Sequence, residues 1–305
     1  MCKAAWKKSS AWVLPGVNEF ESRTAALTSR ITVRMTPYPE WLHILAWAYL
    51  SLSFACAAIM IIDEFRRPQK MMIMNFVWPI AGLYGGPVVL WGYFKSGPKL
   101  TKKHHEQMMQ EIQAELEREK VSGIQQMTGP EASGPSREQV AVGVSHCGAG
   151  CTLGDIGSEW WVFLMGLTFA GGVFETRILL DFLLAWSFGI VFQYLTIAPM
   201  RGLSLGKGLV QAMRADTLSI VTFEMGLFGW MALTNYVFFP DPHVHPTEAV
   251  FWFMMQVGMI LGFFTAYPAN IFLLKSGWKE KMPQYKPEMK KKMRRQQLQE
   301  HRKAA

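Results

Sequence analysis

Residues 146–174 read HCGAGCTLGDIGSEWWVFLMGLTFAGGVF, in which small and polar residues precede a short apolar run. The apolar run, 160–174, has about 15 residues, whereas a helix needs about 20 to cross the roughly 30 Å hydrocarbon core of a bilayer. A membrane-crossing helix must therefore include the polar stretch 146–159 and carry its side chains to membrane depth. The sequence leaves a re-entrant or interfacial segment open as the alternative.

Longer apolar blocks lie on both sides of this stretch, each more than about 20 residues long and almost free of Lys and Arg. They cover residues 41–62, 71–94, 178–200, 217–239 and 249–274. Charged residues are instead dense in 95–140 and 275–305, although 50% of the 305 residues are hydrophobic. This segregation predicts an all-α integral membrane protein, a polytopic transmembrane helix bundle with about six spans.

Changes of composition divide the chain into five predicted segments. The first is rich in Lys, Arg, Ser and Thr, so that an organellar transit peptide and a disordered extension both stay open, although Glu19 and Glu21 are atypical of a transit peptide. The segments are a disordered or targeting N-terminal extension (1–40), a transmembrane hairpin (41–95), a charged helical and Gly/Pro/Ser linker (96–144), a four-helix transmembrane domain (145–276) and a basic cytoplasmic tail (277–305).

The net charge of +8 and the isoelectric point near 9.3 arise from basic residues beside the apolar blocks. Such residues set membrane orientation and contact anionic lipid, so we predict anionic lipid at the tail and no nucleic acid as partner. The loops near 96–103 and 201–214 and the tail are basic, which places both termini on the positive, usually cytoplasmic, side of a membrane whose organelle stays open. The basic turn 66–70 disagrees, because six spans place it on the opposite side.

The polar stretch contains a pattern of metal-binding residue types spaced by four, which share one face of a helix over about 18 Å. They are Cys147, Cys151, Asp155 and Glu159, with His146 beside the first of them. Thiolate and imidazole groups suit Cu(I) or Zn, and carboxylates suit protons or harder cations. Close helix packing is an alternative, because Gly150, Gly154 and Ser158 share the spacing. A redox pair of thiols is another.

Polar residues inside or beside the apolar blocks form a second group of candidates, because placing them in a membrane is costly and each marks a functional site by default. They are Asp181, Gln193, Arg214, Asp216, Glu224 and Gln256. We expect Asp181 and Glu224 to face the interior of the bundle, where carboxyl groups relay protons, hold a cation or serve as protonated structural groups. Arg214 and Asp216, near a helix entrance, are more typical of an interfacial pair.

Four stretches, taken in order, resemble a known family. They read MNFVWPI and LYGGP within 74–87, HCGAGC followed by GD within 146–155, ADTLS at 215–219 and YPAN at 267–270. Together they resemble the membrane family named domain of unknown function 4396, over about residues 40–282. The resemblance implies a multi-helix membrane protein and transfers no catalytic residue. Its structural motif residues are Asn75, Trp78, Pro79, Tyr267, Pro268 and Asn270.

The sequence contains no phosphate-binding loop, dinucleotide-binding glycine pattern, nucleophile elbow or zinc-protease motif. The leading prediction is therefore a non-enzymatic membrane protein that binds or conducts a metal ion or a proton through a polar site in its last four helices, with Cu(I) or Zn as candidate cofactors. The first alternative is a structural membrane protein that docks a protein partner or a second copy of the chain through the helix at 106–120 and the tail. The second alternative is a membrane redox protein.

Overall fold

The computed structural model describes residues 38–122, 134–169, 171–201 and 204–279, together with Lys290 and Met293. The chain divides into two compact units, 1–39 and 40–305, and the fold below is that of the second. The predicted N-terminal extension, the centre of the linker and most of the tail lie outside the described residues.

The described part of the second unit consists of seven α-helices and one π-helical turn. They are α1 (Glu40–Arg66), α2 (Met74–Leu100), α3 (Lys102–Ser122), α4 (Arg137–Met165), α5 (Val173–Arg201), α6 (Leu205–Leu233), the π-helical turn (Thr234–Phe238) and α7 (Ala249–Lys275). The ends of α4 follow from local chemistry. Ser136 and Gln139 form a capping box before the helix, which satisfies two of its free N–H groups. Gly166, with φ 62°, ends it in the left-handed conformation that favours glycine.

Four of the described helices are long and apolar enough to cross a membrane: α1, α5, α6 with its π-helical turn, and α7. Their outward faces carry large apolar side chains, of which Trp41, Ile44 and Phe54 on α1 are largely exposed, as a lipid-facing surface requires. The prediction of an all-helical, membrane-compatible protein is confirmed. The prediction of about six spans is not confirmed, because α2 and α4 are not among the helices that are long and apolar enough to cross a membrane.

α4 is one continuous helix of 29 residues, so residues 146–159 form no separate re-entrant segment. At 1.5 Å per residue the helix is about 44 Å long, enough to cross a bilayer. It packs against α2, α5, α6 and α7, and most of its side chains from Gln139 to Glu159 are buried. A helix surrounded by protein presents little surface to lipid, which explains how one with so many polar residues lies at the centre of the bundle.

α2 reverses direction at Gly86, whose φ of 49° and ψ of −128° are not helical. The backbone N–H of Lys70, which precedes the helix, donates to the carbonyl of Leu100, its last residue, at 2.9 Å. A straight helix of this length would hold the two groups about 40 Å apart. The apolar block 71–94 therefore forms two short helical segments that return the chain to its starting level, and not the single crossing helix that its length predicts.

The reversal is covered by side chains from other helices, and we call Leu83–Gly86 the hairpin tip. The Tyr49 hydroxyl of α1 donates to the carbonyl of Tyr84 at 3.2 Å, and the Gln256 amide of α7 donates to the carbonyl of Leu83 at 2.5 Å. Non-helical backbone at membrane depth is tolerated only where protein or a cavity satisfies its polar groups. These two bonds meet that requirement.

The reversal also brings the basic loops to one end of the bundle, which we call the basic end. The N–H of Lys102, at the start of α3, donates to the carbonyl of Pro68 at 3.0 Å. Lys99 pairs with Glu138, in the first turn of α4, at 2.9 Å. The basic turn 66–70 therefore lies at the same end of the bundle as the other basic loops, and not at the opposite end where six spans would place it.

The opposite end of the bundle, which we call the far end, contains the starts of α1 and α7. The rings of Tyr49 and Phe253 lie with their centroids 5.9 Å apart, and Trp47 lines the same cavity as Trp252. Because α1 and α7 both run from the far end to the basic end, the first and last of the long helices are parallel.

α3 is the polar helix that the run 106–120 predicts. Its apolar face is buried, and two residues of the predicted tail, Lys290 and Met293, lie against it. The residues involved are Met108, Ile112 and Leu116, with Met293 packed on them, and Glu115, paired with Lys290 at 2.7 Å. The predicted docking elements thus contact one another.

Candidate functional site

The four residues that are spaced by four along α4, which we call the polar stripe, are buried. Cys147, Cys151, Asp155 and Glu159 are each at most 2% exposed, and their spacing by four places them along one face of the helix. His146 points elsewhere, because adjacent helical residues are about 100° apart. Its ring nitrogen Nε2 lies 2.8 Å from the hydroxyl of Thr196 on α5.

A buried acidic cluster surrounds the half of this stripe that contains Asp155 and Glu159. Its four carboxyl groups come from three helices: Asp155 and Glu159 from α4, Asp181 from α5 and Glu224 from α6. Asp155 interacts electrostatically with the other three, and Asp181 interacts with Glu159 and Glu224. The two carboxylates that the sequence predicts to face the bundle interior therefore meet the stripe.

Arg177 on α5 is the positive partner of this cluster. Its Nε lies 3.2 Å from a carboxylate oxygen of Glu159, and its guanidinium stacks over the ring of Phe251 at 5.6 Å. Ser158 donates a hydrogen bond to Asp181. Glu159 and Asp181 thus have partners that stabilise them.

Asp155 and Glu224 are different. Neither oxygen of either carboxyl group has a well-formed hydrogen bond to any described residue, although Glu224 interacts with the thiol of Cys151. Both side chains are almost fully buried. An unpaired carboxylate in such a place costs several kcal/mol or more, so the group must take up a proton or a cation.

Charge balance leads to the same conclusion for the whole cluster. Four acidic side chains face one guanidinium, Arg177, in the interior, so ionising all four would leave three uncompensated negative charges. Burial of three such charges is far more costly than protonation of three carboxyl groups. Ionisation of all four carboxyl groups at once is therefore unfavourable in this interior.

A small cavity opens beside the cluster towards the far end. It has a volume of about 20 Å³ and is lined by Glu159, Arg177 and Asp181, together with Thr234, Asn235 and Val244 near the end of α6 and in the following loop. This is enough space for about one water molecule. The acidic cluster thus borders a cavity of about the size of one water molecule on the side where α6 ends.

The structure brings together no set of three His, Cys, Asp or Glu side chains that could hold a metal ion, in the part of the chain that it describes. The predicted ligands are spread along α4 over about 18 Å, and His146 faces Thr196 instead. The assignment of Cu(I) or Zn to this stripe stays a prediction without geometric support.

The close helix packing that the small residues predict is present on the same helix. A Cβ atom on Gly154 would lie 2.3 Å from the backbone nitrogen of Ala185, and one on Gly150 would lie 2.7 Å from the Cα of Gly189. The backbones of α4 and α5 therefore touch at these two turns. The small residues that pack against α5 and the polar stripe occupy different faces of α4. Close helix packing and a polar site are therefore compatible on the same helix.

A second polar network lies at the basic end and centres on Lys279. Its ammonium group donates to Asp216 at 2.7 Å, to Asn270 at 2.8 Å and to the carbonyl of Gly143 at 3.1 Å. Lys279 is only 4% exposed. No sequence pattern distinguishes Lys279 from the other charged residues just beyond the last apolar block.

The remaining predicted residues have separate positions. Arg214 is exposed and Asp216 pairs with Lys279, so the predicted pair of Arg214 with Asp216 is replaced by a buried one. Gln193 is buried on α5. Gln256 binds the hairpin tip.

Two of the six motif residues, Asn75 and Tyr267, bind a turn or a helix end, and the other four pack against or lie inside helices. Asn75 accepts a hydrogen bond from the N–H of Gln69, and Tyr267 donates to the carbonyl of Arg137. Trp78 packs edge-on against Tyr93, and Pro79 and Pro268 lie inside helices. Asn270 donates to the hydroxyl of Ser219 and to the carbonyl of Ala266. Sequence reasoning missed Tyr84, whose ring packs edge-on against Phe223 with centroids 6.3 Å apart.

The part of the chain that carries both polar networks also matches a known family, whereas no curated protein and no solved structure matches the chain. The motif stretch 74–87 lies outside the matched residues, so the match is narrower than the predicted 40–282. From the first residue of α4 to Lys279, residues 137–279, the chain matches the family model described as Domain of unknown function (DUF4396), which confirms the predicted resemblance over that segment.

Proposed function

We propose that this membrane protein binds protons at the acidic cluster and conducts them along α4. The observation that supports the proposal is the pair Asp155 and Glu224, two buried carboxyl groups without a well-formed hydrogen bond among the described residues. Carboxyl groups at membrane depth are typical of proton relays. A proton is favoured over a metal ion because it needs one oxygen atom, whereas a bound metal ion needs several converging ligands.

The proposed path enters from the far end. A proton passes through the small cavity to Glu159 and Asp181, and then to Asp155 and Glu224. Arg177, whose Nε lies 3.2 Å from a carboxylate oxygen of Glu159, partly offsets the negative charge at this entrance. From there the path continues along α4, past Cys151 and Cys147, towards the basic end.

The proposal is tested by proton flux into liposomes that contain the purified protein. A potassium gradient with valinomycin supplies the driving force, and a pH-sensitive dye inside the vesicles reports the flux. We expect Asp155→Asn and Glu224→Gln each to lower the flux by about a hundredfold, because a positioned proton-transfer group contributes this much or more. Neither neutral amide adds a buried charge, so both variants should fold.

Glu117→Gln is the matched control, because Glu117 is an exposed acid on α3, and its flux should equal that of the wild type. Wild-type vesicles that leak no faster than empty vesicles would refute the proposal. So would unchanged flux in both Asp155→Asn and Glu224→Gln.

We infer a membrane orientation from the same geometry. The basic end faces the cytoplasm by the excess of Lys and Arg in its loops, and Lys279, at the start of the predicted tail, lies at that end. α1 then starts on the opposite side, which differs from the prediction that both termini are cytoplasmic. The difference arises because α2 returns to the side from which it starts.

Labelling of introduced cysteines from one side of the membrane tests this orientation. Met72→Cys and Lys103→Cys, which flank α2 at exposed positions, should react with a membrane-impermeant maleimide from the same side. Asp241→Cys, in the loop after α6, should react only from the other side. Cys2→Ser serves as the background, and the other three cysteines are buried. A straight, crossing α2 would instead place Met72 and Lys103 on opposite sides.

A further inference from the structure

A cavity with charged walls lies at the basic end, between the end of α1 and the start of α3, and we call it the basic pocket. Its volume is about 390 Å³, within the range of sites that bind small molecules. Its described lining includes four cations and one acid: Arg66, Arg67, Lys102, Lys103 and Glu106. No carboxyl group of the acidic cluster is part of that lining, so the occupant of this pocket is a separate question from proton conduction.

The positive charge of the basic pocket is only partly balanced. Arg67 is paired with Asp63. Arg66, Lys102 and Lys103 are exposed, so their side chains are open to the cavity, and none of them forms an ion pair with a described residue. Three unpaired cations and one acid leave a net charge of about +2, which suits an anion with two negative charges, such as a phosphate monoester.

Hydrogen bonds fix the two walls of the pocket against each other. The N–H of Lys102 donates to the carbonyl of Pro68 at 3.0 Å, and the N–H of Lys70 donates to the carbonyl of Leu100 at 2.9 Å. The ammonium group of Lys70 also contacts the ring of His105. The cations are therefore held close together before a ligand binds, which lowers the cost of ordering them around an anion.

Large apolar side chains lie beside these cations. Phe65, which precedes Arg66 at the end of the membrane-compatible helix α1, is 86% exposed, and Met72, just after the basic turn, is 77% exposed. Apolar side chains next to cations at the end of such a helix are placed to contact lipid chains and headgroups at once. A ligand with a charged head and apolar chains fits both features, whereas a soluble anion contacts only the cations.

We propose that the basic pocket binds an anionic phospholipid that carries a phosphate monoester, with the monoester against Arg66, Lys102 and Lys103 and the acyl chains beside Phe65. A phosphate monoester carries a charge of about −1.5 to −2 at neutral pH, whereas the phosphate diester of most phospholipids carries one negative charge. The site is distinct from the lipid contact expected at the tail, because no tail residue is part of the described lining.

Native mass spectrometry of the full-length protein in detergent tests the proposal by counting bound lipids during a titration. The probes are phosphatidic acid and phosphatidylinositol 4-phosphate, each compared with a diester lipid of the same acyl chains, phosphatidylglycerol and phosphatidylinositol respectively. We expect at least one monoester lipid to bind at least fivefold more tightly than its diester partner. Inorganic phosphate at an equal concentration should not displace it, because the ion lacks the acyl chains.

The double variant Arg66→Gln, Lys102→Gln should weaken binding of the monoester lipid by about 25-fold, since each Lys or Arg near a membrane contributes about 1 kcal/mol, or about fivefold in affinity. The matched control is Arg214→Gln, Lys275→Gln, which also removes one exposed Arg and one exposed Lys, both outside the described lining. Its affinity for the monoester lipid should equal that of the wild type. Both double variants keep the tail, so lipid bound there affects them equally.

Glu106→Gln removes the acid from the lining and should tighten binding of the monoester lipid by about fivefold, a gain that a misfolded protein would not show. Equal affinity of each monoester lipid and its diester partner would overturn the proposal. So would displacement by an equal concentration of inorganic phosphate, or equal losses in the two double variants. None of these results affects the flux experiment on Asp155 and Glu224.

Discussion

Replacing Lys279 by methionine is expected to lower the free energy of unfolding by about 3–5 kcal/mol, the range measured when one partner of a buried ion pair is removed. Lys279 holds the segment after α7 against α4 and α6 through the carbonyl of Gly143 and the carboxylate of Asp216. Methionine fills a similar volume, so most of the loss would come from leaving Asp216 buried without a positive partner. Reversible unfolding in mixed detergent, followed by circular dichroism, measures the change.

Lys275→Met provides the control, because Lys275 is an exposed lysine on the last turn of α7, and its variant should change stability by less than about 0.5 kcal/mol. The double variant Asp216→Asn, Lys279→Met removes both charges and should recover most of the lost stability, since replacing a buried pair is far less costly than breaking one. Equal stability of Lys279→Met and Lys275→Met would show that the pair does not form.

Gly154→Ala is expected to destabilise the protein by about 1–3 kcal/mol, the cost of adding a methyl group to a full interior. The added Cβ would lie 2.3 Å from the backbone nitrogen of Ala185, and backbone cannot move aside as a side chain can. α4 and α5 must separate, and Glu159 must then move relative to Arg177. Unfolding in the same detergent system measures the loss.

Gly157→Ala tests the same chemical change on the same helix at a place with nothing within 4 Å of the new atom. Alanine is a better helix former than glycine by about 1 kcal/mol, so this variant should be as stable as the wild type or more stable. The two substitutions are thus expected to have opposite signs. A stabilised Gly154→Ala would contradict the close contact of α4 with α5.

The acidic cluster could be predicted in part. Spacing by four along α4 selects Asp155 and Glu159 as members of one face, because the helical repeat is a local property of the backbone. Burial of Glu224 follows from its place inside an apolar block. The identity of its neighbours, Asp155 and Cys151, does not follow, because only the packing of α4 against α5 and α6 brings these groups together.

Lys279 shows the limit of such reasoning more sharply. It lies 63 residues from Asp216 and 136 from Gly143, and it stands in a tail whose lysines are most simply explained by anionic lipid. No local pattern distinguishes a lysine that folds back into the bundle from one that stays at the membrane surface. The contact exists because the chain turns after α7 at Gly277, whose φ of 74° favours glycine.

Sequence alone determined that this is a helical, membrane-compatible protein, that one polar face runs along residues 147–159, and that the last four helices resemble the family model described as Domain of unknown function (DUF4396). Length, apolarity and helical periodicity are local, and they survive in any packing of the helices. Only the tertiary structure decided that the block 71–94 turns back at Gly86 and that the carboxyl groups of three helices converge. The reason is physical: glycine and proline permit both a kink and a reversal, and which one forms depends on whether distant side chains, here Tyr49 and Gln256, satisfy the carbonyls that the reversal exposes.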